Sequence, residues 1–177
     1  MYIINSMEFK VLKKQNNSRM CFVCGIDNDA GLKGVFYECE GGVLIGIYDG
    51  LDVHQSYPGR MHGGISGAIL DESIGRAKHI EDSNIWGVTT KFEVRYKKPV
   101  PLGEKLYSIS RTTEGKRLFD GEGALYDKDG NVLVTAKATY LVLPAEKIAG
   151  ANIHEYWFMV EDEVPEKIVI PNISLDV

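Results

Sequence analysis

The sequence predicts an α+β fold in which an antiparallel sheet is folded over one long central helix. Residues 64–79 place small and apolar side chains at helical spacing, whereas the segments on either side have the composition and alternation of strands. Two strand-like segments precede the helix and four follow it. We therefore expect a sheet of about five or six strands wrapped around the helix.

The first two predicted strands, at residues 35–39 and 43–48, form a hairpin. Both are rich in β-branched and aromatic residues, and a turn with two adjacent glycines separates them. A loop at residues 50–60 follows, marked by a Pro-Gly pair, and it leads the chain to His62.

The predicted helix at residues 64–79 contains two features that are unusual in a helix. Gly67 and Gly75 each cost up to about 1 kcal/mol relative to alanine, so we expect another element to approach the helix closely there. The acidic pair Asp71 and Glu72 interrupts a segment that is otherwise built for burial, and an isolated buried carboxylate is costly.

After the helix the chain changes to a period of two. Residues 88–97 alternate apolar or threonine side chains with charged ones, as in a half-buried strand. Residues 105–113, 117–126 and 132–143 are also strand-like, and short turns between them predict an antiparallel meander.

This pattern divides the chain into three parts. We expect an N-terminal segment at residues 1–20, a single domain at 21–144 and a C-terminal extension at 145–177 that docks on the domain through its apolar islands.

Composition excludes several classes of function. The formal net charge of −5 provides no excess of basic residues to neutralise a nucleic-acid backbone. No apolar run approaches the roughly twenty residues of a membrane span, and no secretion signal precedes the domain. We expect a cytoplasmic protein that binds neither nucleic acid nor a membrane.

Three cysteines, Cys21, Cys24 and Cys39, are an odd number in a chain without a secretion signal, so a disulfide framework is not expected. A structural zinc site needs four ligands, and only Cys39, His54 and His62 lie near the Cys21–Cys24 pair in the sequence. We expect ordinary packing of these cysteines, with no metal and no organic cofactor.

The segment that opens the helix resembles a motif of the hotdog-fold acyl-CoA thioesterases of the PaaI-like (phenylacetate-pathway) type. The motif is His62-Gly63-Gly64, with an acid, Asp71, nine residues after the histidine. The strand at 88–104 and the upstream CFVCGIDNDAGLKG are also similar to the family, and the resemblance covers roughly residues 20–143.

The residues suit the hydrolysis of a thioester, which needs an attacking group and donors for the developing oxyanion. Gly63 and Gly64 lack a Cβ and lie where a helix leaves its N–H groups unpaired, so a carbonyl oxygen can approach them. Asp71 can activate water as a general base or attack the acyl carbon itself, and the sequence leaves both open. The resemblance favours the Gly64 amide as the oxyanion donor.

The resemblance also implies roles for neighbouring residues. It places each site between two subunits, so we expect a homodimer, with a dimer of dimers left open. Thr89 corresponds to a hydroxyl near the attacking water in relatives, although a β-branched residue also suits a strand. His62 either contacts the thioester or is a structural histidine that hydrogen-bonds the backbone at the helix entrance.

Two positions depart from a simple assignment. Relatives often carry an asparagine where this chain has Ser56, so Gln55 or His54 of the same loop is the candidate to contact water or substrate. Glu72 points about 100° away from Asp71 around the helix, which makes it a salt-bridge or hydrogen-bond partner and the alternative acid.

Two other functions remain open at this stage. A hotdog-fold hydratase or dehydratase would use Asp71 and His62 around the α and β carbons of an enoyl thioester. A non-catalytic acyl-CoA-binding module would keep the fold without turnover, although a pure binder has no use for Asp71 near the carbonyl.

Overall fold

The computed structural model describes residues 6–149 and 153–173, so parts of both predicted terminal segments, at 1–5, 150–152 and 174–177, lie outside the described residues. The strands are β1 (Ser6–Lys14), β2 (Asn17–Ser18), β3 (Val35–Cys39), β4 (Val43–Asp49), β5 (Gly87–Tyr96), β6 (Lys105–Thr112), β7 (Leu118–Tyr126), β8 (Val132–Val142), β9 (Trp157–Phe158) and β10 (Lys167–Pro171). Helix α1 spans Gly63–Ala77, and the short α2 spans Ala145–Ile148.

Eight strands form one sheet in the order β10-β1-β3-β4-β6-β7-β8-β5, and every neighbouring pair is antiparallel. The short strands β2 and β9 pair separately. The six strands expected from the sequence are all present, and the predicted α+β fold of a sheet around one helix is confirmed.

Helix α1 packs against the five strands from β4 to the edge strand β5. It continues into a 3₁₀ turn at Lys78–Ile80, so it ends close to where the sequence predicts. Ile69, Leu70 and Ile74 are completely buried between the helix and the sheet. Burial of such side chains is the main favourable contribution to folding, and it fixes which face of α1 is turned outward.

The close approach expected at Gly75 is confirmed. A Cβ placed on Gly75 would lie only 3.1 Å from Cε1 of Tyr140, a residue of β8. Gly67 is less crowded, because the nearest atoms to its Cβ position are 3.7 Å away, on Phe92 and Tyr96. The missing side chain at Gly75 therefore makes room for a specific aromatic ring.

The sheet has two strands more than the sequence predicts, β1 and β10. They pair with each other, and a second hydrophobic cluster forms around them, which includes Phe9, Ile168 and Ile170 and lies apart from the core under α1. The two strands pair across about 160 residues, so no turn between them marks the pairing in the sequence. Most side chains of β1 are exposed, so β1 also lacks a clear alternation of buried and exposed residues.

Candidate active site

His62 is the N-cap of α1. Its Nδ1 accepts a hydrogen bond of 3.0 Å from the Gly64 N–H, and its extended backbone leads into the helix. The acceptor role of Nδ1 means that the neutral ring carries its proton on Nε2. His62 thus makes the contact with the backbone that is expected of a structural histidine. Its Nε2–H remains a free donor beside the helix entrance among the described residues.

The same contact has a consequence for Gly64. The N–H expected to stabilise an oxyanion is already engaged by His62, so the imidazole must turn away before a carbonyl oxygen can take its place. Gly63 lies one residue earlier, and its carbonyl accepts a hydrogen bond of 2.9 Å from the Tyr96 hydroxyl. That bond ties the start of α1 to the edge strand β5.

The loop before the helix is held by its own contacts. The Gln55 Oε1 accepts a hydrogen bond of 2.8 Å from the Gly59 N–H, and the Ser56 N–H donates to the Arg60 carbonyl at 2.8 Å. Both Gln55 and Ser56 are exposed, whereas His54 is completely buried and bonded to Leu51 and Ala30. Of the two residues proposed to replace the family's asparagine, only Gln55 is accessible.

Asp71 is half-buried, and two hydroxyl groups hold its carboxylate. The Thr89 Oγ1 donates to Oδ1 at 2.8 Å, and the Tyr140 hydroxyl lies 3.3 Å from the same atom. Tyr140 also donates to the Asp71 main-chain carbonyl at 2.7 Å. Oδ2 accepts no hydrogen bond from the residues that the structure describes, so it is the oxygen free to act on a substrate or a water.

A β-bulge brings Thr89 to Asp71. Strict alternation would put Thr89 on the same face of β5 as Lys91, away from the helix side where Phe92 lies. The pairing of β5 with β8 shifts between Thr89 and Lys91, so Thr90 is an extra residue and Thr89 turns toward α1. Thr89 therefore lies beside Asp71, for a reason that the sequence pattern does not contain.

Tyr140 is a residue of the site that the sequence does not single out. It lies in an alternating strand and is only 2% exposed, so it looks like an ordinary core residue. Burial and the nearby Asp71 charge raise the pKa of Tyr140, which keeps its hydroxyl protonated and able to donate. Its ring stacks on Phe119 with centroids 4.9 Å apart.

Glu72 lies about 100° around α1 from Asp71 and faces Arg76, although both acids line the same cavity. Its Oε1 accepts a hydrogen bond of 2.8 Å from the Arg76 Nε. Burial alone would raise the pKa of Glu72, but the charge and hydrogen bond of Arg76 outweigh that effect and hold the pKa below its ordinary value. Glu72 therefore serves as an ion-pair partner in this structure.

A cavity of about 290 Å³ begins at Asp71 and Thr89. Its other walls include Arg76, Trp86 and Trp157, the last contributed by the C-terminal extension. A larger groove of about 550 Å³ lies on the face of the sheet that points away from α1, but none of the predicted site residues lines it. The smaller cavity is the one that adjoins the candidate acid.

The cysteine pair lies in the wall of this cavity. Ligand atoms of Cys21, Cys24 and Glu72 lie within 4.8 Å of one another, but the Arg76 guanidinium already contacts both Cys24 and Glu72. Cys39 is buried in the second hydrophobic cluster, apart from this group. The Arg76 guanidinium, itself a cation, therefore already contacts two of the three possible ligands.

Gly64 and Asp71 of one chain are too far apart to act on the same carbonyl. They are seven residues apart on α1, which is a rise of about 10 Å along the helix axis. An oxyanion donor and an attacking group each have to lie about 3 Å from the reacting atoms. One protomer therefore presents two separate parts of the expected site.

The chain is similar to known proteins over this same region. The family model of the thioesterase superfamily matches residues 58–134, which include α1 with Asp71 and the strand β5 that carries Thr89. Residues 58–134 are therefore similar to the thioesterase superfamily. Because the matched residues include the His-Gly-Gly motif and Asp71, the resemblance inferred from the sequence is confirmed at the level of the family.

Solved structures support the same assignment. One crystal structure is of a thioesterase superfamily protein whose sequence is 27% identical to this chain. The two structures superpose with a TM-score of 0.64, and the match covers 70% of this chain and 60% of that protein. A phenylacetic acid degradation-related protein from Ralstonia eutropha JMP134 is 26% identical, with a TM-score of 0.57 over 63% of this chain and 86% of that one.

A protein from Streptococcus mutans UA159, whose structure was determined bound to acetyl CoA, shares the fold. It is 21% identical, with a TM-score of 0.53 over 58% of this chain and 82% of that one. No curated protein matches the chain significantly. Within residues 6–149 and 153–173, the helices are all too short or too polar to cross a bilayer.

Proposed function

We propose that this protein hydrolyses an acyl-CoA thioester to the free acid and CoA. The observation that carries the proposal is the Asp71 carboxylate, held through Oδ1 by Thr89 and Tyr140 in the wall of a cavity, while Oδ2 accepts no hydrogen bond from the described residues. The match of residues 58–134 to the thioesterase superfamily supports it, and a protein of the same fold was determined bound to acetyl CoA. The residues supply the chemistry without a cofactor.

In the reaction, the Asp71 Oδ2 either takes a proton from an attacking water or attacks the acyl carbon itself. In both cases the carbonyl oxygen becomes an oxyanion, and the Gly64 N–H stabilises it once the His62 ring has turned away. The C–S bond then breaks, and the CoA sulfur leaves and takes up a proton. Where Asp71 is the nucleophile, this leaves a mixed anhydride, which water hydrolyses to the free acid and the Asp71 carboxylate.

The proposed site is shared between two subunits. The separation of about 10 Å between Gly64 and Asp71 along α1 requires the partner chain to supply one of them. The edge strand β5 is the proposed contact, because it is ten residues long, contains no proline, and leaves Tyr96 54% exposed. A long unprotected edge of this kind pairs readily with another chain. A homodimer with two such sites follows, and a dimer of dimers is an extension of the same proposal.

The first test is thiol release from a panel of aliphatic and aromatic acyl-CoA esters. We expect Asp71→Asn to lower kcat by about 10²–10⁴-fold, the usual contribution of a general base. The matched control is Asp82→Asn. The Asp82 carboxylate is exposed and accepts hydrogen bonds from Asn84, and an amide oxygen at this position can still accept them. Full activity in Asp71→Asn contradicts the proposal.

An enoyl-CoA in the same panel separates hydrolysis from hydration. Loss of the enoyl absorbance without thiol release would assign the protein to the hydratases instead. An acyl-CoA that stays bound and unhydrolysed through purification would identify a binding module.

The second test concerns the shared site. Gly64→Pro removes the N–H of a first-turn position where a helix tolerates proline. Neither Gly64→Pro nor Asp71→Asn alone is expected to turn over. Refolding the two variants together recovers about a quarter of the wild-type activity if sites are shared, because half of the dimers are mixed and each has one intact site. No recovery would place both residues in one subunit's site.

A further inference from the structure

The cysteine pair beside the cavity has no role in the proposed hydrolysis. Cys21 and Cys24 lie in one tight turn, closed by a hydrogen bond of 2.8 Å from the Gly25 N–H to the Cys21 carbonyl. This turn directs both sulfur atoms toward Glu72, and the three ligand atoms lie within 4.8 Å of one another. Residues three apart in such a turn satisfy the Cα separation that a disulfide requires.

A buried positive charge lies against one of the two sulfurs. The Arg76 Nη2 donates to the Cys24 Sγ at 2.9 Å, and the guanidinium is sandwiched between the rings of Phe36 and Trp157 at 4.4 and 4.2 Å. The Arg76 side chain is only 3% exposed, so little solvent screens its charge. A thiolate at Cys24 is thus paired with a fixed cation.

The two thiols differ in acidity as a result. A hydrogen bond from Cys21 lowers the pKa of Cys24 below the ordinary thiol value, and the Arg76 charge acts in the same direction against the effect of burial. The pKa of Cys21 is raised, because the neighbouring Cys24, burial and the charge of Glu72, to which the Cys21 thiol donates at 3.7 Å, all favour its protonated form. One sulfur is therefore poised to be a nucleophile while its neighbour retains a proton.

The pair borders a cavity that a small reagent can enter. Cys21 is half-buried and Cys24 is completely buried, but both line the 290 Å³ cavity that Asp71 also lines. The third cysteine provides an internal contrast, since Cys39 is packed in the second hydrophobic cluster and burial raises its pKa to about 11. Only the pair combines a cation, a neighbouring thiol and a cavity wall.

We propose that Cys21 and Cys24 form a redox-active dithiol that a small hydroperoxide converts to an intrachain disulfide. The Cys24 thiolate attacks the peroxide oxygen, which breaks the O–O bond and leaves a sulfenic acid at Cys24 and a hydroxide ion. The Cys21 sulfur then attacks the Cys24 sulfur and breaks its S–O bond. The displaced hydroxyl group takes the proton of Cys21 and leaves as water. Two thiols and one hydrogen peroxide give one disulfide and two waters.

The disulfide changes the wall of the cavity. Arg76 loses its thiolate partner and keeps Glu72 as its remaining anionic contact at 2.8 Å. The modification site is distinct from Asp71, so this inference goes beyond the proposed hydrolysis and does not depend on it.

The test treats the reduced full-length protein with hydrogen peroxide, blocks the remaining thiols with iodoacetamide in denaturant, and measures peptide masses. We expect the peptide spanning residues 20–33 to lose two hydrogen atoms and to escape alkylation, while Cys39 is alkylated. Folded protein is expected to react about tenfold faster than the urea-unfolded chain at pH 7, because an ordinary thiol is mostly protonated there. Equal rates, or three alkylated cysteines, would overturn the proposal.

Variants identify the two roles. Cys39→Ser is expected to form the disulfide as the wild type does, whereas Cys24→Ser is not. In Cys21→Ser the reaction stops at the sulfenic acid, and dimedone labels Cys24. Labelling of Cys39 at a similar rate would contradict the assignment. The wild-type measurement uses no thioester and needs no variant to fold, so its failure is distinct from failure of the proposed hydrolysis.

Discussion

Replacing Tyr140 with phenylalanine removes one oxygen atom from the candidate active site and leaves the aromatic ring in place. The ring keeps its stack on Phe119, and the space beside Gly75 stays filled. The hydrogen bonds to the Asp71 carbonyl at 2.7 Å and to Oδ1 at 3.3 Å are lost. The substitution therefore isolates the positioning of Asp71 from core packing.

Two magnitudes follow from these distances. The Asp71 carbonyl keeps its helical bond to the residue 75 N–H, so loss of the short bond from Tyr140 costs only the net value of one hydrogen bond, about 1 kcal/mol of stability. This corresponds to a fall in Tm of roughly 2–4 °C for a domain of this size. The carboxylate keeps its bond to Thr89, so we expect kcat to fall only about tenfold, equivalent to about 1.4 kcal/mol.

Tyr126→Phe is the matched control. The Tyr126 hydroxyl is buried and finds no hydrogen-bond partner among the described residues, so its removal is expected to be neutral or slightly stabilising. Thermal unfolding and thiol release measure both variants. If Tyr140→Phe matches Tyr126→Phe in Tm and in kcat, the positioning role of Tyr140 is refuted.

Three further outcomes are expected. Thr89→Val keeps the β-branched shape and removes the donor 2.8 Å from Asp71, so kcat in thiol release falls about tenfold with little change in Tm. Gly121→Ala places a methyl group against the buried Ile74 Cγ2 and lowers the free energy of unfolding in urea by about 1–3 kcal/mol. Because the pKa of Glu72 is lowered in the folded state, its carboxylate stabilises the protein above the unfolded pKa, near 4.3, and that contribution is lost as pH falls through the folded pKa. The difference in Tm between the wild type and Glu72→Gln is therefore largest at neutral pH and shrinks below about pH 4.

Each outcome has a clear contradiction. Unchanged kcat in Thr89→Val would mean that the hydroxyl does not position the acid. Unfolding of Gly121→Ala at the wild-type urea midpoint would show that the helix and sheet can separate there without cost. A Tm difference for Glu72→Gln that persists unchanged at pH 3 would remove the ion pair with Arg76 as its source.

The sequence predicts six strands and the helix within a few residues, because each has a local pattern that its burial dictates. It does not predict that β1 and β10 pair. Phe9 and Ile168 become buried when these two strands pair and join the second hydrophobic cluster, and neither strand shows this burial in its own sequence. Long-range pairing of this kind is a property of the closed structure.

The candidate site divides in the same way. The sequence by itself determined that the helix begins at His-Gly-Gly and carries Asp71 two turns later, because glycine spacing and helical periodicity are local. Only the tertiary structure decided which groups reach Asp71. A bulge in β5 turns Thr89 toward the helix, and the packing of β8 against Gly75 delivers the Tyr140 hydroxyl. Both contacts join residues separated by at least 18 positions, and they depend on how the sheet bends around the helix rather than on any repeat in the chain.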